Sequence, residues 1–189
     1  MELRSAAPVG VNAAAPAAPA AASASTLWPA ADTVIVKMAE MEVVSDGRSL
    51  KTVLGSCVGV IVRDPDRKVS GLAHVMLPAR RSDDAATGKY ADSAIPALLE
   101  GMSTRGCRTA SLQALLIGGA QMFPTGSTTI SSIGDQNVVA ARRALAERRI
   151  PIIFEDIGGT AGRTVVFSNV TGKVTVKTLK AITARGGQS

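Results

Sequence analysis

The chain predicts an α+β domain in which an antiparallel sheet carries helices on its outside. Three features of the sequence point there: short β-branched apolar runs bounded by turn residues, two intervening stretches with helical periodicity, and connections short enough to close most neighbouring runs as hairpins. No internal repeat is visible.

The chain of 189 residues is long enough for one domain with a sizeable core. Residues 1–31 stand apart from it. They are mostly Ala, Pro and Ser, with Glu2 and Arg4 as the only charges, and offer too few large apolar side chains to offset the entropy of ordering, so a flexible tail is expected. An Ala-rich start can mimic a secretory signal, but Glu2 offsets Arg4, and Pro8, Pro16 and Pro19 interrupt the apolar segment. The folded domain is expected over 32–181, with 182–189 frayed. No apolar run reaches the length needed to span a bilayer, which points to a soluble protein.

Thr33 to Met38 and Met41 to Val44 are strand candidates that lead through the Ser45-Asp46-Gly47 turn. Val58 to Val62 and Val69 to Leu77 flank Asp64-Pro65-Asp66-Arg67, where Asp and then Pro suit a type I turn, so the pair reads as a β-hairpin. Ala79 to Gly88 is polar and without periodicity, a loop that rims the hairpin or simply connects it onward. Ser93 can cap a helix to about Thr104, because Pro96 then falls in the first turn and Ile95, Leu98, Leu99 and Met102 share a face. Leu112 to Ile117 reads as a buried strand ending at Gly118-Gly119-Ala120. Asp135 can cap a second helix to about Arg149, with Val138, Ala141 and Leu145 inward and Pro151 ending it. Ile152 to Phe154 is a further strand, residues 158–162 a Gly-rich loop, and Val165 to Phe167 with Val174 to Thr178 a closing hairpin.

Chemistry concentrates in the first hairpin. A turn centred between Pro65 and Asp66 places Cys57 directly opposite His74, the single His of the chain and one of its two Cys. Residues opposed in this way share a face of the sheet, and a thiol that can pass its proton to an imidazole becomes a nucleophile. Register is the sensitive point, since a slip of one residue sends one partner to the other face, and Gly55, Gly59 or Gly71 offer places for a bulge. Taken singly, a Cys in an apolar strand is ordinary core and a lone His an ordinary structural donor. Their opposition, and the Gly55-Ser56 pair whose backbone N–H groups can turn toward an oxyanion, favour a catalytic reading. Cys107, following Gly106 at the expected end of the first helix, reads as an unreactive packing residue. No C-x-x-C and no Cys/His cluster is present, so no metal is expected.

L-G-S-C-V-G-V (54–60), A-H-V-M-L-P (73–78), G-K-Y-A-D (88–92), I-G-G-A-Q-M-F (117–123), I-G-D-Q-N (133–137) and E-D-I-G-G-T-A-G-R (155–163) together resemble the chemoreceptor glutamine deamidase family, CheD, in order and spacing from about Val34 to Leu179. The resemblance implies packed, mainly antiparallel sheets flanked by helices. It implies a cytoplasmic enzyme that converts particular glutamines of methyl-accepting chemoreceptors to glutamate, with a catalytic Cys and His at Cys57 and His74 and a Thr shortly before the Cys, here Thr52. It places the Gly118-Gly119 loop beside the catalytic hairpin as part of the substrate site. It also implies partnership, in some bacteria, with a response-regulator phosphatase.

The reaction expected is amide hydrolysis through a thioester. Cys57 attacks the glutamine carboxamide, backbone N–H groups around Ser56 and Cys57 hold the oxyanion, His74 protonates departing ammonia and then activates water, and Thr52 orients the imidazole. No cofactor is needed. The same residues fit a Cys peptidase or transglutaminase, which differ only in substrate bond or acceptor, and a non-catalytic binding partner of the phosphatase is the alternative outside enzymes.

Charge is unevenly placed. Residues 1–141 hold 12 Lys and Arg against 12 Asp and Glu, and residues 142–189 hold 9 against 3, so the net +6 resides in the last quarter. A basic surface there favours an acidic partner. Three Phe, one Tyr and one Trp are too few to stack on bases, so the expected partner is an acidic protein surface and not nucleic acid; the resemblance implies that this surface is the receptor's cytoplasmic helical bundle.

Overall fold

The computed structural model describes residues 32–80, 86–122 and 132–179. The expected N-terminal tail, the frayed C-terminus, and much of the polar loop after the first hairpin lie outside those residues. Nine strands and two α-helices form in the order β1 (Thr33–Ile35), β2 (Met41–Val44), β3 (Ser49–Leu54), β4 (Val58–Asp64), β5 (Val69–Val75), α1 (Ala91–Ser103), β6 (Gln113–Gly118), α2 (Ile133–Ala146), β7 (Ile152–Ile157), β8 (Arg163–Ser168) and β9 (Val174–Thr178) among the described residues. They make two sheets, one ordered β1-β3-β8-β9 and one ordered β2-β5-β4-β6-β7. Pairing is antiparallel except for β1 with β3 and β6 with β7, so the α+β expectation holds.

The molecule has three layers, and the five-stranded sheet is the middle one. One face of it packs under the helices, where Val58, Val60, Val62, Ala73 and Val75 meet Ile95, Leu98 and Met102 of α1 and Val138, Ala141 and Leu145 of α2. Its other face packs on the four-stranded sheet, where Ile61, Leu72, Leu115 and Ile117 meet Leu50, Leu54, Val165 and Phe167. A strand covered on both faces needs no polar alternation, which is why β4 and β5 read as nearly continuous apolar runs. The two polar interruptions of β5, Ser70 and His74, are both buried. Ser70 donates from its hydroxyl to Asn169 Oδ1 at 2.6 Å.

Four local expectations are corrected. The β4–β5 turn holds four residues, 65–68, because the Asp64 carboxylate accepts the N–H groups of Asp66 and Arg67, and Lys68 closes the turn in the left-handed region at φ 52°. The first helix begins at Ala91 after Tyr90; Ser93 is already inside it and donates its hydroxyl back to the Thr87 and Tyr90 carbonyls. The second helix is capped by Ser132, which exchanges hydrogen bonds with Asp135 as a reciprocal capping box, so Asp135 is its third residue and not its cap. Finally β3, which the sequence reading did not single out as a strand, is the second strand of the outer sheet and pairs with β8 over its whole length.

Candidate active site

The revised turn moves the hairpin register by two residues. His74 faces Gly59 and Val75 faces Val58, while Cys57 lies just outside β4 in the bend of residues 55–57. Cys57 is therefore not directly opposite His74, as the two-residue turn required. A shift of two keeps the parity of the strand, so Cys57 still belongs to the face that carries His74, one diagonal step along it. Cys57 packs against the cluster between the two sheets, in company with Leu54, Leu72 and Ile117. At Gly59, the strand partner of His74, a Cβ would come within 2.9 Å of Leu54 Cδ1, so a side chain there requires Leu54 to shift.

His74 is anchored by its backbone. Its N–H donates to the Glu40 carbonyl at 2.9 Å and its carbonyl accepts from Ala39 N–H at 3.2 Å, extending the β2–β5 pairing beyond β2. Its ring reaches across to the other sheet, where Thr52 Oγ1 lies 2.8 Å from Nδ1. Thr52 is inward on β3 between Leu50 and Leu54 and is buried, as is His74. The Thr52 hydroxyl donates to the Val36 carbonyl at 2.8 Å. A carbonyl only accepts, so the one hydroxyl proton is committed to Val36, and Thr52 Oγ1 must accept from Nδ1–H. The imidazole proton is thereby assigned to Nδ1, and Nε2 keeps its lone pair.

Burial sets the charge state of the pair. It pulls the His74 pKa below the usual imidazole value, against smaller opposing contributions from the Val36 carbonyl and from Glu40. It pushes the Cys57 thiol up. Both shifts favour the neutral forms, so the resting state is a thiol and a neutral imidazole and not a preformed ion pair. Among the described residues, Cys57 makes no side-chain hydrogen bond in this state.

The loop that carries Cys57 is gripped from two sides. Gly119 N–H donates to the Cys57 carbonyl and Ala120 N–H to the Gly55 carbonyl, each at 2.8 Å. Gly118, at φ 107°, has no room for a Cβ because it would overlap the Cys57 carbonyl. On the other side stands Asn137, the last residue of the I-G-D-Q-N stretch and not among the site residues expected from the sequence. It is fully buried, and its Nδ2 donates to the carbonyls of Ser56 at 3.2 Å and Met76 at 2.9 Å. The signal that could have found it is an amide on the inward face of α2, beside Val138 and Ala141, where an apolar residue is expected. Among the described residues, no acceptor engages the N–H groups of Ser56 and Cys57. Cys107 is buried and free, its pKa pushed up to about 11 by burial and by neighbouring Asp64. Among the described residues, no three of His, Cys, Asp and Glu converge as a metal centre would require.

A concavity of about 610 Å³ is lined by Pro78 and Ala79 and by the outer face of α2, including Val139 and Arg143, and by none of Cys57, His74 or Thr52. The basic residues of α2 are largely engaged locally. Arg142 forms a two-pronged pair with Glu155, at 2.8 and 2.7 Å, and Arg143 pairs with Glu147. Among the described residues, no helix is long and apolar enough to cross a membrane.

The family described as CheD chemotactic sensory transduction matches residues 76–178. A probable chemoreceptor glutamine deamidase CheD of Methanococcus vannielii is 43% identical over 143 residues, covering 75% of this chain and 92% of that protein. The chemoreceptor glutamine deamidase CheD of Halalkalibacterium halodurans is 40% identical over 153 residues, covering 78% and 94%. A solved structure, the hypothetical protein YfiH of Bacillus licheniformis, is a more remote likeness, with 18% identity and a TM-score of 0.41 over 61% of this chain and 49% of that one. On the extent of the family match and the identity across nearly the whole length of these relatives, the chain belongs to the CheD family.

Proposed function

We propose that this chain is a chemoreceptor glutamine deamidase that works through a Cys57 thioester, with His74 as the proton carrier and Thr52 as the residue that orients it. The observation that carries the assignment is the Val36–Thr52–His74 chain of hydrogen bonds, because it leaves Nε2 unprotonated and ready to accept the Cys57 proton. The thiolate formed as the proton leaves attacks the side-chain carboxamide carbon of the receptor glutamine. The oxyanion falls to the N–H groups of Ser56 and Cys57. The imidazolium gives its proton to the leaving nitrogen, which departs as ammonia, and the acyl group remains on sulfur. Water then gives a proton to neutral His74 and attacks the thioester, and glutamate is released as the thiol is restored.

Gly118 and Gly119 serve this chemistry by fixing the carbonyl of Cys57 and leaving backbone close to the loop for the incoming side chain. The protein partner is the cytoplasmic part of a methyl-accepting receptor, which places the activity in the cytoplasm, and a response-regulator phosphatase of the same system is a second partner. The test is mass spectrometry of a receptor cytoplasmic domain incubated with the protein. Glutamine-to-glutamate conversion at defined positions is expected, and it should vanish in Cys57→Ala and His74→Ala. Conversion that persists in Cys57→Ala would overturn the mechanism, and a crosslinked or cleaved product would replace the acceptor or the substrate bond.

A further inference from the structure

Asn137 bridges two backbone segments that differ in sequence by 20 residues but carry the two reacting side chains. Its Nδ2 donates to the Ser56 carbonyl, whose peptide bond leads directly into Cys57, and to the Met76 carbonyl, two residues after His74. Both acceptors are carbonyls, so the amide can point only one way. The consequence is that Oδ1 is left buried with no partner, the single such side-chain atom among the described residues. An unsatisfied buried acceptor is a standing cost to the fold, and a residue kept on such terms is more readily explained by what its donors hold than by stability.

The placement of Asn137 is itself fixed. It is the fifth residue of α2, counted from the Ser132 capping box, and the start of that helix is pressed against the Gly118–Ala120 segment: at Gly134 a Cβ would overlap the Gly119 carbonyl, and at Gly119 a Cβ would lie 2.6 Å from Val138 Cγ2. The Gly119 N–H in turn holds the Cys57 carbonyl. The N-terminal end of α2 thus reaches the nucleophile loop by two routes and the histidine strand by one. Cys57 and His74 lie on a diagonal and are not hydrogen-bonded at rest, so their separation depends on how the bend of residues 55–57 is held relative to the end of β5.

We propose that Asn137 is a positioning residue that sets the Cys57–His74 separation by tying the Ser56 and Met76 carbonyls to one amide. The inference deepens the deamidase reading and rests on Cys57 and His74 being its reacting pair. Loss of the amide lets the bend drift from β5, and the thiol then loses access to Nε2 as its proton acceptor. Because Cys57 is already partly exposed, supply of thiolate and not access limits its reaction with a small electrophile.

The test is a double-mutant cycle read by alkylation of Cys57 with iodoacetamide at neutral pH, in the native full-length protein, using peptide mass spectrometry to separate Cys57 from Cys107. Asn137→Ala and His74→Ala should each slow alkylation by about fivefold or more, and the double variant should be no slower than the slower single variant, since one acts through the other. On the receptor domain, Asn137→Ala should lower kcat by about tenfold or more with KM within about twofold, as expected of a group that aligns the reacting pair without touching substrate. If thermal melting shows that Asn137→Ala does not fold, the same cycle is run with Asn137→Ser, which keeps one donor. Wild-type alkylation by a folded Asn137 variant, or losses that add in the double variant, would overturn the proposal. A non-additive cycle in a protein that leaves receptor glutamines intact would sink the deamidase reading and keep the positioning role. Normal deamidation with wild-type alkylation in the Asn137 variant would do the reverse.

Discussion

Thr52 and His74 belong to different sheets, yet their side chains meet at 2.8 Å inside the layer between them. The contact ties the outer sheet to the middle one between Leu50 and Leu54 on β3 and beside Leu72 on β5. Its direction is set by a third group, the Val36 carbonyl, which takes the threonine proton and so leaves the oxygen as an acceptor for Nδ1–H.

From this follows a graded series at Thr52. Thr52→Val keeps the shape and removes the acceptor, freeing the imidazole to place its proton on Nε2, so kcat should fall by about 10- to 100-fold, the equivalent of roughly 1.4–2.7 kcal/mol. Thr52→Ser should recover part of that loss, and both should retain more activity than Cys57→Ala. Steady-state kinetics on the receptor domain is the measurement, and full activity in Thr52→Val would show that the hydroxyl does not orient the ring.

The neutral resting pair makes a statement about pH. An ordinary imidazole titrates near 6.5 and an ordinary thiol near 9.0, and burial moves His74 down and Cys57 up from those values. kcat/KM should therefore stand above half-maximal at both pH 6.5 and pH 9.0, a broader bell than unperturbed groups would give. The same shift bears on stability. With the folded pKa depressed, the unfolded chain binds more protons below 6.5, so the His74 contribution is fully present above that value and is lost as pH falls through the folded pKa. His74→Gln should flatten the decline of Tm between pH 7 and pH 5; an unchanged slope would mean that His74 is not held neutral.

Two glycine substitutions separate local strain from steric conflict at the Cys57 loop. Gly118→Ala meets both a positive φ and the Cys57 carbonyl, and should cost about 2 kcal/mol or more while lowering kcat. Gly158→Ala has a similar backbone at φ 73° but nothing within 4 Å of the new Cβ, and should cost only about 1 kcal/mol with kcat nearly unchanged. Denaturant unfolding and turnover measured on the same samples distinguish them, and equal effects at the two sites would argue that Gly118 does not press on the Cys57 loop.

Much of this protein was legible from residues close to one another in the chain. Periodicity marked α1, α2 and most strands, because the period of apolar side chains is a property of a single segment. The apolar runs around Asp64 and Pro65 marked the hairpin, and the one histidine in it with the cysteine beside it marked the candidate pair. Only the tertiary structure decided the register. The Asp64 carboxylate can hold two turn amides just as well as a tighter turn can form, and the choice between them moved the partner of His74 from Cys57 to Gly59. The resemblance named Thr52, but only the tertiary structure brought its hydroxyl to His74 Nδ1, since β3 meets β5 face to face through stacked sheets and no pattern along either strand records which threonine lies over which imidazole. The same is true of Asn137: its position reads as one more inward site on α2, and what it holds, the carbonyls of Ser56 and Met76, is fixed by where that helix lands on the sheet.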